Sequence, residues 1–130
     1  MCRTANGADI NAEPGVNPQT KDGRGNICPV TVIMPTLAME AYANIEQEYE
    51  VSGEKIDVVD EFMGLLDTKI HEAKDMLLER FEWICSQSPD SAKFMYENGL
   101  MAGYVPEEGI RSALKHGTLV IGQLGLAETL

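Results

Sequence analysis

Val30-Thr31-Val32-Ile33-Met34, followed at once by Pro35 and Thr36, decides the fold. The run is largely β-branched and apolar on both faces. That pattern suits a strand buried on both faces of a parallel sheet better than a half-exposed one. Pro35 ends the strand, because a prolyl nitrogen cannot donate to a ladder, and Thr36 is placed to cap a helix through about Glu46. Much further on, Thr118-Leu119-Val120-Ile121 reads as a second buried strand. The sequence between them is helical. From Asp57 to about Ser86, Val58, Val59, Phe62, Leu66, Ile70, Ala73, Leu77, Phe81 and Ile84 recur mostly at three- and four-residue steps. Asp57 suits the N-cap, and Asp60 and Glu61 sit at the positive end of the helix dipole. Ser88-Pro89 opens a short helix closed by Gly99, and another runs from near Pro106 to Gly117.

Strand, helices, strand is a crossover, which predicts an α/β unit with parallel strands. Two strands make a poor sheet by themselves, so the chain reads as a piece of something larger. The last residues, Leu124 to Leu130, give the same impression, stopping about where a new helix begins. Upstream of the first strand, residues 5 to 26 carry the turn pairs Asn6-Gly7, Pro14-Gly15, Asn17-Pro18 and Asp22-Gly23. A long N-terminal loop is expected there, and loops of that length are usually functional or disordered.

A chain of 130 residues is at most one domain, able to bury roughly two-thirds of its unfolded surface. Its 44% apolar content argues against disorder throughout. The 21 acidic and 10 basic residues leave a net charge of −11, which argues against nucleic acid or an anionic membrane as partner. No apolar stretch approaches the ~20 residues of a membrane span, and no signal peptide precedes Cys2. Three cysteines without a Cys-x-x-Cys pair fit a reducing cytoplasm better than a disulfide framework or a zinc site.

The residues that could carry chemistry are few. Cys2 stands at the head of the loop, where its thiol is either an ordinary terminal one or a sulfur held inside a cavity. Cys28 and Cys85 read as small core residues, and His71 as part of a solvated helix face beside Lys69 and Glu72. His116 sits at a helix end, where the dipole favours a cation. Arg24-Gly25-Asn26 could present amides to an anion, although a turn explains its glycine equally well. No phosphate loop, metal-spaced His/Cys cluster or Ser-His-Asp set can be assembled.

Several segments, in order, resemble one family: Cys2-Arg3-Thr4, Gly23-Arg24-Gly25-Asn26-Ile27, Pro29-Val30-Thr31, Pro35-Thr36-Leu37-Ala38-Met39-Glu40, Phe94-Met95-Tyr96-Glu97-Asn98-Gly99, Lys115-His116-Gly117-Thr118-Leu119 and Gly125-Leu126-Ala127-Glu128. The chain is similar across nearly its whole length to the anaerobic (class III) ribonucleoside-triphosphate reductases, which are glycyl-radical enzymes. The resemblance implies a partial catalytic domain over 1–130, a fragment of a ten-stranded α/β barrel. Residues 1–26 would form its finger loop and 27–130 the strand, helices and strand. It implies Cys2 as the catalytic thiyl cysteine, which takes the 3′ hydrogen of a ribonucleotide, and Asn26 and Thr4 as substrate-binding residues.

The resemblance further implies a ribonucleoside triphosphate as substrate, the rest of the reductase chain and a radical-SAM activating enzyme as partners, and a homodimer among the assemblies it allows. A glycyl radical, formate and zinc are expected in the complete enzyme, none of them held by this chain. The family's glycyl-radical segment, its cysteine-rich zinc site, its effector region and its partner cysteine have no counterpart here, and Met1 replaces the usual glycine before the thiol. The isolated chain is therefore expected to be inactive. Two other readings are a non-catalytic structural or interaction module derived from such an enzyme, and a formate-lyase-like relative acting on another substrate.

Overall fold

The computed structural model describes residues 13–15, 25–53 and 55–129. It is mixed α/β, with two parallel strands hydrogen-bonded to each other. In chain order the elements are β1 (Asn26–Ile33), α1 (Met34–Ser52), α2 (Val58–Cys85), α3 (Lys93–Glu97), α4 (Ile110–Leu114), β2 (Thr118–Leu124) and α5 (Leu126–Thr129). Two 3-10 turns, Pro89–Ala92 and Pro106–Glu108, lead towards α3 and α4. The chain divides into two compact units. One joins the residues up to Cys28 to Leu77–Val120, and the other joins Pro29–Met76 to the residues from Ile121 onward.

In the second of these units Met34, Leu37, Ala41 and Ala73 are buried, so α1 and the first part of α2 supply its core. Asn44 Nδ2 donates to Glu61 Oε1 at 2.8 Å, linking the two helices at the surface. Met34 closes no strand. It begins α1, with Ile33 at the N-cap in extended conformation and Pro35 in the first turn, where a missing N–H costs nothing. Thr36 therefore lies inside the helix rather than capping it. The helix also runs past Glu46 to Ser52 and stops where Gly53, at φ +73°, donates to the Tyr49 carbonyl. The segment Glu46-Gln47-Glu48-Tyr49-Glu50 shows little apolar periodicity, yet its glutamates and glutamine are good helix formers, and propensity carries it.

Asp57 caps α2 as expected: its Oδ1 accepts from Val59 N–H at 2.7 Å and its carbonyl from Glu61 N–H at 3.1 Å. Of the periodic positions, Ala73 and Leu77 are buried, whereas Val59 and Ile70 are exposed. The expectation of strands buried on both faces is corrected. Along β1, Cys28 is buried and Val30 and Val32 half-buried, while Pro29, Thr31 and Ile33 are exposed. One face is covered by described residues and the other is open.

In the first unit Cys28, Leu77, Ile110 and Ala113 form the core, with the Ser112 hydroxyl buried among them. That hydroxyl accepts from Val105 N–H at 2.8 Å and donates to Gly109 O at 2.7 Å. It thereby ties down the turn between the Val105–Gly109 bridge and α4. Gly109, at φ +68°, breaks the helix expected from Pro106 to Gly117 into a 3-10 turn and α4. Ser88 caps the turn before α3 through Asp90 N–H at 3.2 Å. In the other unit, Gly125 is fixed by its surroundings: its φ is +78°, and a Cβ there would lie 2.7 Å from the Pro35 ring.

Two substitutions test the packing. Leu77→Ala lowers the free energy of urea-induced unfolding by about 2–5 kcal/mol, whereas Met63→Ala on the exposed side of α2 changes it by less than about 0.5 kcal/mol.

Candidate functional site

Cys2 and Thr4 lie outside the described residues. Asn26, the third expected site residue, is the first residue of β1 and half-buried. Its position follows from the start of the sheet: Thr118 N–H donates to the Gly25 carbonyl at 2.8 Å, so the residue after Gly25 is held at the mouth of the ladder. Gly117 makes this approach close. A Cβ there would fall against the Ile27 side chain, 2.6 Å from Cγ1.

Asn26 opens onto a cavity of about 600 Å³ within the first unit. Ile27, Ile84, Ile110 and Leu114 give it apolar walls, and Trp83, Gln87, Ser91 and Tyr96 bring polar atoms to it. Trp83 and Gln87 are one helical turn apart at the end of α2, and Gln87 Nε2 donates to the Trp83 carbonyl at 2.9 Å. Ser91 comes from the 3-10 turn and Tyr96 from α3. Tyr96 packs on Tyr104 with ring centroids 4.7 Å apart and planes tilted by 59°. Burial, with a smaller push from Tyr104 and Cys85, raises the Tyr96 phenol above its ordinary pKa, so it stays a protonated donor.

Cys85, near the end of α2, is half-buried rather than a core residue like Cys28. Burial raises its thiol pKa, against an opposing pull from Arg111. Arg111 is itself engaged. It pairs with Glu82, which raises its pKa, and its guanidinium carbon stands 5.2 Å from the centre of the Phe81 ring. A cation committed in this way cannot turn Cys85 into a reactive thiolate. His71 is exposed on α2, its Nδ1 2.9 Å from the Asp67 carbonyl oxygen, and Lys69 pairs with Glu72 at 2.8 Å. His116 is half-buried just past α4. Among the described residues no group of three His, Cys, Asp or Glu side chains could hold a metal ion. No helix among them is long and apolar enough to cross a membrane.

Sequence reasoning singled out Asn26 but missed Trp83, Gln87, Ser91 and Tyr96. Trp83 falls between the periodic apolar positions Phe81 and Ile84, and that break in the pattern, in a chain with one tryptophan, was the available signal. The other three become neighbours only once the chain has turned back at Ser88-Pro89.

A family model described as anaerobic ribonucleoside-triphosphate reductase matches residues 1–130. No curated protein and no solved structure matches the chain.

The state of Cys85 is open to measurement. At pH 8 its peptide, followed by mass spectrometry, alkylates with iodoacetamide several-fold more slowly in the native chain than in urea, because the folded thiol holds its proton and part of its surface is covered. The gap narrows as pH rises through the elevated folded pKa; equal rates at pH 8 would contradict the assignment.

Proposed function

Because this chain belongs to the anaerobic ribonucleoside-triphosphate reductase family, we propose that it forms part of the catalytic barrel of an oxygen-sensitive glycyl-radical enzyme that reduces ribonucleoside triphosphates to deoxyribonucleoside triphosphates. The observation that carries this reading is the family match over all 130 residues, which takes in the Cys2-Arg3-Thr4 motif. The parallel β1–β2 pair joined by helices is compatible with a barrel segment, and among the described residues neither strand has a second neighbour.

In this reading Cys2 is the hydrogen-atom carrier. Its S–H bond breaks when the atom passes to the enzyme's radical, and it re-forms when the sulfur takes the 3′ hydrogen of the substrate ribose. The ribose radical then loses its 2′ hydroxyl as water, with formate as the reductant. The glycyl radical is expected on a separate segment of the enzyme, generated by a radical-SAM activating enzyme. Asn26 offers an amide that can accept from and donate to substrate hydroxyls, and Thr4, two residues beyond the thiol, offers a hydroxyl to the same space. A loop tip enclosed by a barrel keeps such a radical from water and stray hydrogen donors. The 130 residues alone are inactive, because the thiol has no radical to receive.

Replacing Cys2 with Ser in the complete polypeptide tests the reading under strict anaerobiosis. Deoxynucleotide formation drops by at least about 10³-fold, the scale seen when a group carrying a covalent step is removed. Asn26→Ala lowers kcat/KM by about ten-fold, as expected for one or two substrate hydrogen bonds. Undiminished turnover in the Cys2→Ser enzyme would end the proposal.

A further inference from the structure

Of the four tyrosines in the chain, Tyr96 and Tyr104 lie in direct ring contact. Their centroids, 4.7 Å apart, are at the short end of the range of about 4.5–7 Å for aromatic pairs, so the ring edges meet at van der Waals distance. Local hydrogen bonds hold them there. Leu100 N–H and Met101 N–H donate to the Met95 carbonyl at 3.0 and 3.3 Å, and Tyr104 N–H donates to the Met101 carbonyl at 3.2 Å. The contact is therefore built into one short stretch of chain. Tyr42 and Tyr49 form no such pair: both are exposed on α1, separated along its axis by about 10 Å.

The pair is also reachable by a small oxidant, because both rings line an open cavity of about 490 Å³ with Pro89, Lys93, Glu97 and Pro106. Phenols are among the side chains most readily oxidised by one electron, and two phenoxyl radicals in contact couple. Cys85 competes poorly for peroxide, since burial keeps its thiol protonated and the thiolate is the form that peroxide attacks.

We propose that Tyr96 and Tyr104 are a site of oxidative cross-linking, joined into a dityrosine by the one-electron oxidants that peroxide generates at haem or iron. Each phenol gives one electron to an oxidant molecule and its hydroxyl proton to solvent. The two phenoxyl radicals pair their unpaired electrons in a single C–C bond between ring carbons ortho to the oxygens. The hydrogens on those carbons shift to the oxygens and restore both phenols. The chain thus loses two electrons and two protons, and two oxidant molecules are each reduced by one electron. The product clamps α3 to the segment leading into the Pro106–Glu108 turn. Tyr96 also lines the cavity beside Asn26, so the cross-link immobilises part of that wall. The coupling needs only this ring geometry and an oxidant, and neither Cys2 nor reductase turnover enters it.

The test illuminates a dilute solution of the native chain with tris(bipyridine)ruthenium and persulfate, which together supply a one-electron oxidant. A monomer lighter by two hydrogen atoms is expected, with the blue emission of dityrosine. Cleavage after Glu97 parts the two tyrosines in sequence, so mass spectrometry finds their peptides still joined. The yield in the native chain exceeds that in urea by at least about ten-fold, because folding holds the reacting rings together. Tyr104→Phe keeps the ring, and its far-ultraviolet circular dichroism is unchanged, but it forms no dityrosine at this site. Tyr42→Phe, Tyr49→Phe and Cys85→Ser chains cross-link as before. The proposal is overturned if the monomer gains oxygen at Cys85 or Trp83 without losing two hydrogens, or if dityrosine appears only between molecules. It is overturned equally by a yield that urea does not lower, or by a Tyr104→Phe chain that forms as much dityrosine as the parent.

Discussion

The pairing of β1 with β2 is the constraint on which the rest depends. It is a contact between segments far apart in sequence, closed at its start by Thr118 N–H on the Gly25 carbonyl. Two glycines lie close against it. At Gly117 a Cβ would collide with Ile27, and at Gly122 it would come within 3.3 Å of the Thr31 hydroxyl. Once the ladder forms, Asn26 has a fixed address at its mouth, and the end of α2 and the turn after it can gather around the same cavity. Ser112 does the corresponding work at the other end of that unit, since its buried hydroxyl would cost stability if it did not satisfy both Val105 and Gly109.

The cores are small for the composition. Among the described residues eight hydrophobic side chains are buried, while nineteen large ones are exposed, Val51, Phe94 and Met39 among the most open. Scattered apolar side chains on a surface are ordinary, but this proportion in a chain that is 44% apolar is not. The uncovered face of β1 belongs to the same pattern, because Thr31 and Ile33 point to a side that no described element covers. These surfaces have the character of an interior whose other half is supplied by further polypeptide, in keeping with the proposed role within a barrel.

Much of this was legible from the residues, and the exceptions have physical causes. Strands, the long helix and its Asp57 cap follow from β-branched runs, helical periodicity and one well-placed carboxylate. The chain was expected to stop about where a new helix begins, and a short helix, α5, is already formed over Leu126–Thr129. Boundaries failed where the local signal was ambiguous. Met34 has the hydrophobicity of a strand residue, but the proline after it suits a first helical turn, and tertiary burial settles the matter. Gly109 was hidden inside a plausible helix because only its positive φ breaks it. Of the expected site, Asn26 alone falls on described residues. The cavity around it depends on Trp83, Gln87, Ser91 and Tyr96, whose convergence comes from a reversal of the chain that no local pattern encodes.

The order in which the two strands are made has its own consequence. On the ribosome β1 is made before its partner, which does not exist until Thr118–Leu124 has been translated. At ordinary elongation rates that interval is on the order of ten seconds. Throughout it, the hydrogen-bonding edge that β2 will occupy stays bare. Parallel pairing thus delays closure of the ladder until the distant second strand has been made.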